Sequence, residues 1–225
     1  VCGRDANWLR ERDIADAFAV AEVANDARLL PPSWNVAPTQ LALVVTLTPE
    51  GSARRLIAAR WGLVPAWAKD PSVGSRMFNA RCETVAEKPS FRSAFGKRRC
   101  LIPANGYFEW QVRDDGKQPF FIHPPTDEPL AFAGLWETRE DEDGRAFSFT
   151  IVTRAAVGDL AAIHNRQPVM LNEDAREAWM DVHTSPDELS TALLSDGPVV
   201  EAHPVSRAVG NVRKNDPSLV APIEA

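Results

Sequence analysis

The sequence predicts one α+β domain spanning residues 1–225, with a curled, mostly antiparallel β-sheet or barrel-like core flanked by helices. Three observations carry that expectation. Seven apolar runs rich in β-branched and aromatic residues follow one another between residues 41 and 154, without the regularly alternating helices that a parallel βαβ architecture needs. Turn signals such as DDGK and DEDG separate several of them. The 225 residues, 44% of them hydrophobic, suffice for one substantial core, and no internal repeat or low-complexity linker divides the chain.

The elements follow in order. Residues 8–24 show helical spacing, with Leu9, Ile14, Ala17, Phe18 and Ala21 in an apolar stripe, and Pro31 and Pro32 end any helix. Strands are expected at 41–47 (LALVVTL), 55–61 (RLIAARW), 98–104 (RRCLIPA), 106–112 (GYFEWQV), 118–123 (QPFFIH), 130–137 (LAFAGLWE) and 147–154 (FSFTIVTR). Shorter helices fit 158–164, 173–181 and 186–194. The acidic run EDEDGR at 140–145 reads as a solvated hairpin tip.

Cys2, Cys82 and Cys100 cannot all pair, and none has the CxxC or Cys/His spacing of a zinc site; this usage suits a reducing cytosol. No cofactor is implied. Nowhere do 18 apolar residues run together, so neither membrane insertion nor secretion is indicated. The formal net charge of −6 hides an asymmetry: residues 54–100 hold eleven Lys/Arg against three acids, a balance of +8 that leaves −14 for the rest. Such a segment fits either a soluble surface or one face that attracts a polyanion.

Several side chains are candidates for chemistry. The chain opens VCGR, and removal of residue 1 would leave Cys2 with an α-amine and a thiol on adjacent carbons, a reagent for aldehydes. In GYFEW, the two-residue strand period puts Phe108 and Trp110 on one face and Tyr107 and Glu109 on the other. The aromatic face belongs in the core, so Glu109 faces solvent or a cleft, where a desolvated carboxylate works as a general acid or base. DLAAIHNRQP reads as a short helix with Asp159 as N-cap, placing His164 near its C-terminus, either as a plain surface or packing residue or as a proton shuttle. Asn79 and Arg81 stand two apart in RMFNARCET and point the same way if extended, able to hold a sugar or phosphate. RWGLVPAWAKD interleaves Arg60, Trp61, Trp67 and Lys69, as single-strand binding requires; Trp61 suits the core equally well, and Trp67 is the better candidate for exposure.

Taken together, these segments resemble the SOS response-associated peptidase (SRAP) family, whose members cross-link covalently to abasic sites in DNA. The resemblance rests on CGR (2–4), WNVAPTQ (34–40), RWGLVPAW (60–67), NARCET (79–84), RRCLIPANGYFEW (98–110), AGLWE (133–137), FTIVTRAA (149–156), IHNRQPVML (163–171) and HPVSRAVGNVRKNDP (203–217), in that order. Gln167 and Arg154 stand where the resemblance leads one to expect Met and Thr.

The resemblance implies an SRAP fold and a definite chemistry. A ring-opened abasic site exposes an aldehyde; an α-amine with a pKa of about 8 forms a Schiff base with it, and the Cys2 thiol closes a thiazolidine. Asn79 is then expected to orient the amine or the sugar. Glu109 would move protons during amine attack and during autoproteolytic removal of residue 1, and His164 would assist ring opening or Schiff-base proton transfer. Arg4, Asn35, Trp67, Arg81 and Arg166 match DNA-contacting positions. The implied partner is single-stranded DNA containing abasic sites, bound by a cytoplasmic, monomeric protein that associates with the nucleoid when on DNA. Two alternatives stay open: an N-terminal-Cys glutamine amidotransferase, for which the GHxR motif is missing, and a single-strand DNA binding module without covalent chemistry.

Overall fold

The computed structural model describes residues 2–141 and 144–224. Along the chain run β1 (Asp5–Asn7), α1 (Glu11–Ala17), β2 (Val20–Val23), α2 (Asn25–Arg28), β3 (Ser33–Val36), β4 (Leu41–Leu47), β5 (Arg54–Trp61), β6 (Asn79–Arg81), α3 (Arg92–Lys97), β7 (Arg99–Ala104) and β8 (Gly106–Arg113). Then come β9 (Gly116–His123), β10 (Leu130–Asp141), β11 (Gly144–Ala155), β12 (Arg166–Pro168), α4 (Glu173–Met180), α5 (Pro186–Leu194) and β13 (Glu201–Pro204). The seven apolar runs correspond to β4, β5 and β7 to β11. No helix is long and apolar enough to cross a membrane.

The expected α+β barrel is present. β11, β10, β7, β4 and β5 pair antiparallel in succession, and β5 returns to β11 as a short parallel pair through Arg60↔Ser148 and Trp61↔Phe149. These five strands close a barrel. β12 and β6 both pair with β11, and β2 runs parallel to β5. A second sheet, in the order β13-β9-β8-β1-β3, carries the N-terminal strand.

Strand alternation sorts the barrel residues into two clusters. Val44, Ile57, Trp61, Cys100, Ile102, Phe132, Phe149 and Ile151 pack together on one face, joined by Cys2, Val36, Tyr107 and Ile122 of the second sheet and its approaches. Val45, Leu56, Leu101, Ala133, Leu135 and Val152 face the other way, where Phe95 of α3, Trp179 of α4, and Leu189 and Leu193 of α5 cover them. The barrel is tight inside: a Cβ on Gly134 would meet Ile102 Cδ1 at 2.1 Å and Cys100 Sγ at 3.0 Å.

Three local expectations are corrected. The helix expected over residues 8–24 is only α1, because Ala19 adopts a φ of 50° and the β-branched Val20 and Val23 join the barrel edge as β2. Its Ile14 and Phe18 are fully buried, so the apolar stripe was real but stops with one packed turn. The segment after β11 is a 3-10 turn, Gly158–Ala162, that follows Val157 with no side-chain cap, so Asp159 is not the N-cap. The other two helices begin on side-chain caps, Asn172 for α4 and a Ser185/Glu188 capping box for α5. Of the acidic run, residues 142 and 143 lie outside the described residues.

Candidate active site

Cys2 enters the core because the strand that follows it is pinned on both edges. Asp5 of β1 pairs with Val36 of β3 and with Tyr107 of β8, and Ala6 pairs with Gly106. Residue 2 is thereby drawn against the Tyr107 and Ile122 face and is fully buried. Burial pushes its thiol pKa well up, and the negative charges of Glu109 and Asp5 push the same way, so the sulfur holds its proton at neutral pH.

Three further elements bring polar groups to this point. Both faces of β8 are covered: Phe108 joins a small cluster with Phe121 and Val205, Trp110 packs beside it, and Tyr107 and Glu109 point the opposite way with Cys2. Glu109 is 4% exposed, and its Oε1 accepts the Trp110 N–H at 3.3 Å. The choice between solvent and cleft is thus settled for the cleft. β6 runs parallel to β11 with Asn79 opposite Ile151, and the buried Ala80 between Asn79 and Arg81 puts those two on the other face. Asn79 Nδ2 donates to the Cys2 carbonyl at 2.6 Å, while its buried Oδ1 has no partner among the described residues. His164 follows the 3-10 turn; its Nδ1 accepts the Arg166 N–H at 3.0 Å and lies 3.9 Å from Glu109 Oε2.

Four segments far apart in sequence therefore meet: a thiol, a carbonyl-holding amide, a carboxylate and an imidazole. With a hydrolysable bond or an electrophilic carbonyl beside Cys2, the carboxylate and imidazole are placed to take and return protons. Two buried groups were not singled out beforehand. Asp5 is 1% exposed, its Oδ1 has no partner among the described residues, and burial raises its pKa to about 8 against the opposing pull of Arg4. The Tyr107 hydroxyl is likewise raised well above its usual pKa, by burial and by Cys2 and Glu109, and its ring meets Phe132 edge-on at 5.8 Å.

The five positions expected to touch DNA separate into two kinds. Trp67 is 64% exposed on a turn closed by the Ala68 N–H to the Pro65 carbonyl, and Arg81 is exposed. Trp61, by contrast, is fully buried. The remaining three are held by the protein. Arg4 Nη1 donates to Asn35 Oδ1 at 2.8 Å and to the Val209 carbonyl at 2.6 Å, with its guanidinium 5.8 Å from the Trp110 ring centre. Asn35, 2% exposed, donates to the carbonyls of Asn211 and Lys214 at 3.1 and 2.7 Å. Arg166 forms a fork with Glu83, at 2.5 and 3.0 Å, and donates to the Thr153 carbonyl at 2.7 Å. That fork holds the Glu83 carboxyl down at about 2. Glu83 is the partner the sequence did not reveal, although it stands two residues from Arg81.

A family model for the SOS response associated peptidase (SRAP) matches residues 1–212. The chain belongs to the SRAP family. Among its relatives, the abasic site processing protein YoqW of Bacillus subtilis (strain 168) is 37% identical over 224 residues, covering 98% of this chain and 99% of that one. The abasic site processing protein YoaM of the same organism is 38% identical, covering 98% and 97%. A crystal structure of a protein from Bacteroides thetaiotaomicron superposes with a TM-score of 0.86 over 99% of this chain at 23% identity, a likeness of fold. Within the SRAP fold, the two departures noted in the sequence have structural occupations: Gln167 is buried and its Oε1 accepts the Val157 N–H at 2.9 Å, and Arg154 donates to the Ser195 carbonyl at 2.8 Å.

Proposed function

We propose that this SRAP protein recognises abasic sites in single-stranded DNA and links to them through Cys2, after hydrolysis of the bond between residues 1 and 2. The observation that carries the reading is the meeting of Cys2 with Asn79, Glu109 and His164 from four separate segments. The naming of two relatives as abasic site processing proteins supports it. The freed amine attacks the C1′ aldehyde, water leaves to give an iminium ion, and the sulfur adds to the iminium carbon as its proton departs. Aldehyde and aminothiol give thiazolidine and water, with no oxidant or reductant.

Each neighbour has work in that sequence. A thiol kept protonated by burial needs an acceptor for its proton, and Glu109 with His164 beside it supplies one. Asn79, through the Cys2 carbonyl, fixes the backbone whose amine must reach the aldehyde. Arg81 and Trp67 offer phosphate and base contacts from exposed positions, while Arg4, Asn35 and Arg166 are held by hydrogen bonds within the protein.

The test is a precursor extended ahead of Cys2 and incubated without aminopeptidase. It is expected to trim itself to Cys2 by mass and then cross-link abasic DNA, while Glu109→Ala keeps its extension. An extended protein that cross-links fully with its N-terminus still blocked would remove the thiazolidine reading.

A further inference from the structure

The basic segment 54–100 is not gathered on the Cys2 side. Strand register gives the barrel two ends. Leu41, Trp61, Ala104, Leu130 and Ala155 mark one, toward β1 and β12; Leu47, Arg54, Arg99 and the β10–β11 hairpin mark the other. Along β11, Ile151 stands opposite Asn79, and Phe147 lies four residues nearer the hairpin, roughly 13 Å at the usual strand rise.

Phe147 helps line a cavity of about 330 Å³ at that far mouth. Five cations surround it, Arg55, Lys97, Arg98, Arg99 and Arg145, and none of the described residues lining it is an acid. Among the described residues, acids outside the lining pair with three of them: Glu22 lies 3.4 Å from Arg55, Glu137 2.6 Å from Arg98 and Glu140 3.0 Å from Arg145. Arg99 is held by the carbonyls of Phe95, Trp179 and Asp181, which orient it without cancelling its charge. Hydrogen-bonding capacity is also left over: Thr48 Oγ1, Arg98 Nε and Thr138 Oγ1 are buried on lining residues and have no hydrogen-bond partner among the described residues. Buried donors normally have partners, so three orphans around one concave space call for a polar ligand. Trp136 and Phe147, 5.8 Å apart, supply an aromatic wall.

The geometry points to a second binding site at the barrel mouth opposite Cys2, one that takes a terminal phosphate monoester carried on a nucleoside. Forked and threonine donors surround the phosphate, and the aromatic wall takes the ring. A free nucleotide and the 5′-phosphorylated end of a DNA strand share this chemistry. The site goes beyond the cross-linking reading and does not rest on it.

Calorimetric titration of the full chain with dAMP, a 5′-phosphorylated tetranucleotide and its unphosphorylated counterpart tests the site. Saturable binding is expected for a phosphorylated probe. It should fall at least tenfold in Arg55→Gln/Lys97→Gln and in Thr48→Val, while the melting and abasic-DNA cross-linking of these variants stay unchanged. Binding of the tetranucleotide alone identifies a strand end; binding of dAMP identifies a free nucleotide. No saturable binding of either phosphorylated probe, binding indifferent to both cavity variants, or an equal loss of binding of the unphosphorylated strand in those variants would overturn the proposal. Loss of cross-linking is read out separately, on abasic DNA, so failure of either reading is distinguishable from failure of the other.

Discussion

At one end of the barrel Asp5, Glu109 and Tyr107 crowd a buried thiol; at the other, arginines ring an open cavity. The two ends share a single cluster of apolar side chains, from Cys2 and Tyr107 to Trp136 and Phe147, yet acids gather at one and cations at the other. At the Cys2 end burial holds the proton on the thiol, on Asp5 and on Tyr107, which preserves a nucleophile until its partner arrives. The basic end is built from cations that no burial can neutralise, because a guanidinium keeps its proton. Chemistry can thus be stored at one mouth and charge at the other without either disturbing its neighbour.

The sharpest way to separate the ends is Cys2→Ala. It is expected to abolish the denaturant-resistant, borohydride-independent adduct with abasic DNA completely, because the ring-closing sulfur is gone, while phosphate binding at the far mouth persists. Gels with and without borohydride, beside the titration, read both. A borohydride-independent adduct in this variant would show that the sulfur closes no ring.

Asp5→Asn probes the acidic end through stability. The folded pKa of Asp5, about 8, exceeds its unfolded value of 3.8, so the unfolded chain loses this proton first as pH rises. Asp5 therefore costs no stability below pH 4, and an increasing amount between pH 4 and 8, on the order of 5 kcal/mol at full ionisation. The variant is expected to match the parent in urea melts at pH 4 and to exceed it by a widening margin up to pH 8. A constant difference across that range would mean that Asp5 is not held protonated.

The matching test at the basic end is Arg98→Ala, which strands the Glu137 carboxylate, 5% exposed, without its partner. A loss of about 3 kcal/mol is expected by urea denaturation, and adding Glu137→Gln should recover most of it. The smallest effect separates two arginines near the Cys2 site. Arg81→Ala should flatten the salt dependence of single-strand binding by about 0.7 in slope. Arg166→Ala should change the slope less, since Glu83 already balances that charge. Equal slopes for the two variants would show that the Glu83 fork opens on DNA.

The strands were legible because strand pairing on a half-buried surface writes itself into local alternation; LALVVTL became Leu41–Leu47 residue for residue. The face of Glu109 was legible for the same reason. The helix over residues 8–24 was misread past Phe18 because a tertiary partner, β5, captured Val20–Val23 as a strand. By itself, then, the sequence determined where the barrel strands lie along the chain, the alternation that sets their faces, and the small motifs, CGR, NARCET and GYFEW, that bring the reactive groups. Tertiary structure alone decided that β5 meets β11 and closes the barrel, that Asp5 is buried, that Glu83 neutralises Arg166, and that a continuous basic segment is shared between opposite mouths. The physical reason is one of range: periodicity and propensity are set by residues a few positions apart, whereas burial and charge compensation depend on groups brought together from a hundred positions away.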